Sequence, residues 1–378
     1  MTVPRRVDRP DLVLHGEEVG AGPTVLLLHA GGERRQVWTP VMDVLVAAGF
    51  RCVAYDQRDS DNLASYADDV TAMLAAEPPG CVVVGASLGG LAAMAALEDA
   101  RVAGLVLVDV VPDLDPDRVR GFLAAGGLLD GHIALVDDAL DQVPRLRRMV
   151  SELDRPVLLV RGGDGSPVTD EDVDRLSRLA PHATVTRIPG AGHLVARDRP
   201  AALAEAIKVT AEWPALALLR ELGAEHVDHP GGNLLDHLQR VRDLVASGSQ
   251  RLRLAALCHA TYGTDGFPHP LLPLDQRARL CAAIGDDTLV YRYAACDRST
   301  TYAHLGTTPL PLTDRFTGEV VDLKGDDLTD FALLTVANEL DVARNAVLTP
   351  EARDGIRALI TVLAPYAPDA TAQALALL

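Results

Sequence analysis

The chain of 378 residues sets one serine between glycines, in "GASLGG" from Gly85 to Gly90, straight after the apolar run "CVVV". A serine hydroxyl is a weak nucleophile until a base takes its proton and a third group orients that base. Candidates for both follow in the chain. Asp164 stands in "RGGDGSPV" after the run "PVLLVRG", and His193 stands in "GAGHLVARDRP" after "ATVTRIPG". Asp109, at the end of "GLVLVD", is the alternative third member. The remaining histidines of this half fit less well: His15 and His182 precede or begin extended runs, and His132 falls between them. A developing oxyanion needs two backbone N–H groups aimed at it, each worth about 3–4 kcal/mol. Leu88, next to the serine, supplies one. The loop "HAGG" after "TVLLL" supplies the other, with Gly31 as first choice and Gly32 as second. His29 is expected to order that loop and to take no part in proton transfer.

Something must hold these residues together. Six runs, "TVLLLHA" (24–30), "RCVAYD" (51–56), "CVVVGA" (81–86), "VAGLVLVDVV" (102–111), "PVLLVRG" (156–162) and "ATVTRIPG" (183–190), alternate with stretches of helical apolar spacing. Several runs are almost wholly apolar, as strands of a parallel sheet covered on both faces must be. The fold class is therefore α/β, a doubly wound, mostly parallel sheet over residues 1–213. Ser87, Asp164 and His193 each lie past the carboxyl end of a strand, where open sheets of this kind collect reactive groups. A serine lifted clear of such an end needs a sharp, strained turn, with small residues two before and two after it; Gly85 and Gly89 meet that need. A glycine-rich turn that only packs, or that cradles a phosphate, is the plainer alternative.

The stretches "LLLHAGG", "AYDQR", "VVVGASLGG", "LVLVDVVP", "LLVRGGDG" and "IPGAGHLVARDRP" together resemble the α/β-hydrolase superfamily over about residues 12–212. The resemblance implies a Ser87–His193–Asp164 hydrolase that forms an acyl-enzyme on a carboxylic ester, lactone or thioester and needs no cofactor. Lyase or acyl-transfer chemistry runs on the same triad. Serine at position 87 argues against the epoxide hydrolase and haloalkane dehalogenase branches, which carry aspartate there. Two stretches depart from the common pattern. "YDQRDSDNLASYADDV" lacks the usual glycine-rich loop, and segment 112–154, where a lid is expected, is short and holds one aromatic residue, Phe122. A reduced lid leaves the roof of the site to be supplied by something else. In "GGERRQVW", Arg35 is either a contact for an anionic substrate group or a solvated loop charge.

From residue 214 to 378 the β-branched runs largely vanish and helical patterns take over, which predicts a second, mainly α-helical domain. Helix starts are expected at Asp326 or Asp327 and at Thr349-Pro350-Glu351. His226, His229, His237, His259 and Asp297 are ligand types that suit zinc, iron or manganese, with Asp265 as a substitute. Their order distantly resembles HD-type metal domains, but the central pair is His259-Ala260, without the aspartate. The fuller stretch looks more like an uncharacterised helical family related to that fold. A metal held by His229, His237, His259 and Asp297 stands against a set of capping and core histidines. The helical domain is expected to cover the serine site or to form a homodimer interface.

Composition narrows the partners. A formal charge of −18 would repel nucleic acid and anionic membranes, and an aromatic content of 4% leaves little for base stacking. A small-molecule substrate is expected. The five cysteines form no CxxC pair and read as thiols of a reducing compartment. With no secretory apolar segment and no run long enough to span a bilayer, the expected location is cytoplasmic. The competing functional readings are a metal-dependent helical domain as main catalyst, and a binding protein or receptor that keeps the hydrolase pocket.

Overall fold

All five residues of the strand Thr24–Leu28 are buried, so it must lie in the middle of a sheet covered on both faces. In the computed structural model, which describes residues 2–97, 102–113, 115–127, 129–163 and 165–378, it does. Eight strands make one sheet: β1 (Val3–Asp8), β2 (Val13–Gly20), β3 (Thr24–Leu28), β4 (Arg51–Tyr55), β5 (Cys81–Ala86), β6 (Val102–Val108), β7 (Val157–Gly162) and β8 (Thr184–Ile188). Their order is β1-β2-β4-β3-β5-β6-β7-β8. From β4 to β8 every pairing is parallel, and β1 and β2 add an antiparallel edge.

The six runs of the sequence correspond to β3 through β8. The edge hairpin was not among them, because its strands, "VPRRVD" and "VLHGEEVG", carry charge and are largely open to solvent. Ion pairs fasten it instead. The buried carboxylate of Glu77 binds Arg5 at 2.7 Å and Arg51 at 2.6 Å, and Arg51 also holds Glu18 on β2 at 2.6 Å.

Nine helices follow among the described residues of this half: α1 (Thr39–Ala47), α2 (Leu63–Ala75), α3 (Leu88–Ala95), α4 (Pro116–Ala125), α5 (Ile133–Asp141), α6 (Val143–Glu152), α7 (Asp170–Leu179), α8 (Val195–Asp198) and α9 (Pro200–Ile207). Alternation along the strands sends Leu26, Leu28, Val83 and Leu105 into one core with α2 and α3, while Val25, Leu27 and Val82 are as fully buried on the opposite face. Parallel register then aligns the carboxyl ends. Leu28 pairs with Gly85, Ala86 with Val108, and Val108 with Val160. The residues just past β3, β5 and β6 therefore emerge along one edge of the sheet.

The chain divides into two compact units, Met1–Pro214 and Ala215–Leu378. The second is mainly helical, with a core that includes Leu238, Leu257, Leu280 and Phe331. Its principal elements are α10 (Trp213–Glu221, which starts in the first unit), α11 (Leu234–Leu244), α12 (Gln250–Cys258), α13 (Arg277–Ile284), α14 (Thr288–Ala295), α15 (Arg298–Thr301), α16 (Gly325–Asn345), α17 (Pro350–Val362) and α18 (Pro368–Leu377). Helix α17 starts as its sequence suggests, with the Thr349 side chain accepting from Ala352 N–H. Helix α16 starts earlier than Asp326 or Asp327, at Gly325, and both acids fall in its first turn, where they favour the positive end of the helix dipole. Among the described residues no helix is long and apolar enough to cross a membrane.

Candidate active site

Strand β5 delivers Ser87 at its carboxyl end, in a turn with φ +48° and ψ −115°. That is a costly conformation for a residue with a side chain, and its surroundings enforce it. Ser87 N–H is tied to Val108 O at 3.1 Å. A Cβ on Gly85 would come within 2.5 Å of Gly89 O, and one on Gly89 within 2.5 Å of Leu28 O, so only glycine lets α3 start this close to β3 and β5.

The partners converge on that hydroxyl. His193 Nε2 lies 2.9 Å from Ser87 Oγ. Its Nδ1 lies 2.8 Å from the Oδ2 of Asp109. A proton on Nδ1 that donates to the carboxylate leaves the Nε2 lone pair to accept from the serine O–H. Asp109 is wholly buried and itself adopts φ +54° at the end of β6, with its N–H held by Val160 O at 2.8 Å. Its second oxygen, Oδ1, accepts from Gly162 N–H and Ser166 O–H, each at 2.7 Å. Both oxygens are thereby fixed.

The sequence favoured Asp164 for this position. Asp164 lies outside the described residues, and the carboxylate on Nδ1 is the alternative, Asp109. A strand-end acid is legible in sequence, but not which of two such acids reaches His193 Nδ1. Asp109 follows β6, the immediate neighbour of the serine's strand. Ser166 gave no signal, since it acts through another side chain.

Gly31 and Leu88 both face the cavity in front of Ser87, and a Cβ on Gly31 would sit 3.5 Å from Leu88 Cδ2. Among the described residues neither N–H has an acceptor in the protein. Gly32 lines the same cavity. His29 orders the loop from beneath. Its Nε2 accepts Gln57 N–H at 3.0 Å, which places its proton on Nδ1, donated to Ala30 O at 2.8 Å. Burial pushes its pKa down, so the ring stays neutral. Arg35 is turned away from substrate duty: its backbone N–H and its guanidinium both engage Asp56.

Segment 112–154 is not too small to form a roof. It folds into α4, α5 and α6, and the first two wall a cavity of about 650 Å³ that opens on Ser87 and His193. Phe122 of α4 meets the His193 ring edge-on, with centroids 4.8 Å apart.

In family comparisons, residues 25–156 match the "Alpha/beta hydrolase family". Over 251 residues the chain is 30% identical to "Esterase Rv0045c" of Mycobacterium tuberculosis (strain ATCC 25618 / H37Rv), a match that takes in 50% of this chain and 83% of that protein. The chain belongs to the alpha/beta hydrolase family. It is thus an enzyme of hydrolytic type. This hydrolase is also 38% identical over 132 residues to "Putative carbamate hydrolase RutD" of Variovorax paradoxus (strain S110), covering 31% of the chain; it spans only half, 50%, of that relative's length. A third relative, "2-(acetamidomethylene)succinate hydrolase" of Mesorhizobium japonicum (strain LMG 29417 / CECT 9101 / MAFF 303099), is 26% identical over 265 residues, 54% of this chain and 94% of that protein. Residues 218–298 match a family described as "Domain of unknown function (DUF6817)", which lends no support to the HD-type likeness.

In the second unit of the hydrolase three of the expected metal ligands meet and one does not. His237 Nε2 lies 3.3 Å from His259 Nε2, and the rings of His229 and His237 stack with centroids 4.0 Å apart. The carboxylate beside them is Asp341 of α16, at 2.7 Å from His237 Nδ1, which the sequence reading missed because it lies 104 residues away. Arg240 neutralises Asp341 at 2.7 Å. Asp297 caps α15 instead, accepting from Thr300 N–H and Ser299 O–H. Asp265 accepts Arg298 N–H, and His226 is exposed. Among the described residues no group of three or more His, Cys, Asp or Glu is placed to hold a metal ion. Burial pushes His259 down to about 3 and His229 down to about 4.

Proposed function

We propose that this hydrolase cleaves a carboxylic ester, lactone or thioester through an acyl-enzyme on Ser87. The observation that carries the reading is the single histidine that spans 2.9 Å to Ser87 Oγ and 2.8 Å to Asp109 Oδ2. Ser87 Oγ attacks the substrate carbonyl carbon while His193 Nε2 takes its proton. Charge that develops on the carbonyl oxygen is met by Gly31 and Leu88 N–H, which need no reorganisation. Asp109 stays ionised and steadies the imidazolium. His193 then gives its proton to the departing oxygen or sulfur, and the C–O or C–S bond breaks. Water, deprotonated by the same nitrogen, attacks the acyl carbon, and Ser87 recovers its proton as the acid leaves. The esterase name of the relative matched over 83% of its length supports an ester substrate.

The test is a fluorophosphonate probe. The expected result is one covalent adduct, mapped to Ser87 and absent from Ser87→Ala. A folded wild-type protein that takes no adduct would overturn the reading.

A further inference from the structure

With Ser87 as the nucleophile, the charges around its cavity bear on what else the substrate carries. Two carboxylates of the wall, Asp115 and Asp172, are answered within the protein. Arg118 donates to Asp172 Oδ2 and faces Asp115 at 3.4 Å, and Arg175 donates to Asp172 Oδ1. Arg175 in turn shares Asp113 with Arg147, at 2.9 Å and 3.4 Å. Three arginines thus stand against three aspartates. Arg118 is further committed to Thr169 Oγ1 at 3.1 Å and to Pro167 O at 3.3 Å, which leaves it little for a ligand.

Arg197 differs. It lines the same cavity from the short helix α8, four residues after His193, and its side chain reaches water. Among the described residues its guanidinium has no hydrogen bond and no ion pair. The acids nearest to it leave it so. Asp198 accepts Gly192 N–H at 2.8 Å. Glu33 stands on the loop that carries Gly31. Burial pushes the Glu33 carboxyl up, while Arg197 and His193 draw it down, so the three groups are neighbours without being paired. A chain of formal charge −18 therefore keeps an uncompensated cation where its active site opens to solvent.

The reaction places that cation. His193 Nε2 hands its proton to the departing oxygen or sulfur, so the leaving portion of the substrate lies along the histidine and the residues after it, Leu194 and Arg197, which share the cavity wall. The acyl portion stays on Ser87.

We propose that Arg197 is a specificity residue, and that the substrate is an ester or thioester whose leaving alcohol or thiol carries an anionic group, a carboxylate or a phosphate, which the guanidinium meets through its N–H donors. Exposure to water keeps the effect to that of a solvated ion pair, modest and sensitive to salt.

The experiment uses the full chain and acetate esters that differ in the leaving group: 4-acetoxybenzoate and 4-acetoxyphenyl phosphate against the neutral methyl 4-acetoxybenzoate. Active sites are titrated with the fluorophosphonate, so that kcat/KM refers to reactive Ser87. The charged-to-neutral ratio is expected to fall about five-fold in Arg197→Met, to return in Arg197→Lys, and to shrink in the wild type as salt is raised. Glu33→Gln, which removes the competing anion, is expected to raise the ratio about two-fold. A charge on the acyl side serves as the control: the ratio of mono-p-nitrophenyl succinate to p-nitrophenyl butyrate is expected to be the same in Arg197→Met as in the wild type. An Arg197→Met protein that titrates normally yet keeps the wild-type leaving-group ratio, an equal fall in the acyl-side ratio, or a preference lost in His132→Leu and kept in Arg197→Met would each overturn the proposal while Ser87 still labels. Absence of labelling would overturn the serine reading and this proposal with it.

Discussion

Asp109 and His193 meet at 2.8 Å across 84 residues of chain, and the carboxylate that makes this contact is clamped on its other oxygen by Gly162 N–H and Ser166 O–H. A carboxylate fixed by three donors cannot swing away from the imidazole during the proton transfers. This arrangement places the orienting acid on the strand next to the nucleophile's own, and it makes Ser166 a positioning residue.

Ser166→Ala removes one of the two donors on Oδ1 and leaves Gly162 N–H in place. Loss of one charge-assisted hydrogen bond is expected to lower kcat about 3–10-fold, with KM little changed. Steady-state kinetics on one ester measure this. A fall confined to KM would contradict a positioning role, and Ser166→Thr is expected to recover most of the rate.

Gly89→Ala tests the packing that creates the serine turn. The added methyl would lie 2.5 Å from Leu28 O and 2.7 Å from His29 O, both backbone atoms of the strand β3 or its exit, which cannot yield. A loss of about 1–3 kcal/mol is expected, with most of the activity. Gly121→Ala is the opposite case. It lies within α4 with open space around the added atom, so thermal denaturation is expected to show a gain of up to about 1 kcal/mol.

Two histidines of the helical unit, the buried His259 and the half-buried His229, make stability depend on pH. His259 titrates near 3 and His229 near 4 when folded, against an ordinary value of 6.5. Below pH 6.5 the unfolded chain binds protons that the folded one refuses, so stability falls as pH falls, by up to about 1.4 kcal/mol per pH unit for each histidine. His259's contribution runs down to about pH 3, and above pH 6.5 neither ring adds any slope. Urea midpoints at pH 7, 6 and 5 measure it, and His259→Gln is expected to flatten the acid limb. Equal slopes in variant and wild type would contradict the assignment.

Much of this site can be read in the sequence, and what escapes reading has identifiable causes. Ser87 and the strand before it announce themselves because the turn's sterics demand Gly85 and Gly89. His193 follows from its place after β8. The choice between Asp109 and Asp164 depends on which carboxylate the loops past the strands bring to His193 Nδ1, and Asp109 reaches it at 2.8 Å, a contact that residue type does not announce. The edge strands β1 and β2 lack the apolar pattern because charge pairs at Glu77 do the fastening. Segment 112–154 reads as only a reduced lid because its wall is aliphatic: Val119, Leu135 and Val136 enclose space without the aromatic residues expected there. In the helical unit His237 and His259 were visible, while Asp341, brought in by α16, was not, and Asp297 proved to be a helix cap.

The most direct measurement compares kcat/KM of Asp109→Asn and Asp164→Asn on the same ester. Asparagine at 109 can donate to His193 Nδ1 and would impose the wrong tautomer on the ring. The account predicts a loss of about 10³–10⁴-fold for Asp109→Asn, with only a few-fold change for Asp164→Asn. A large loss confined to Asp164→Asn, with Asp109→Asn near wild type, would contradict it.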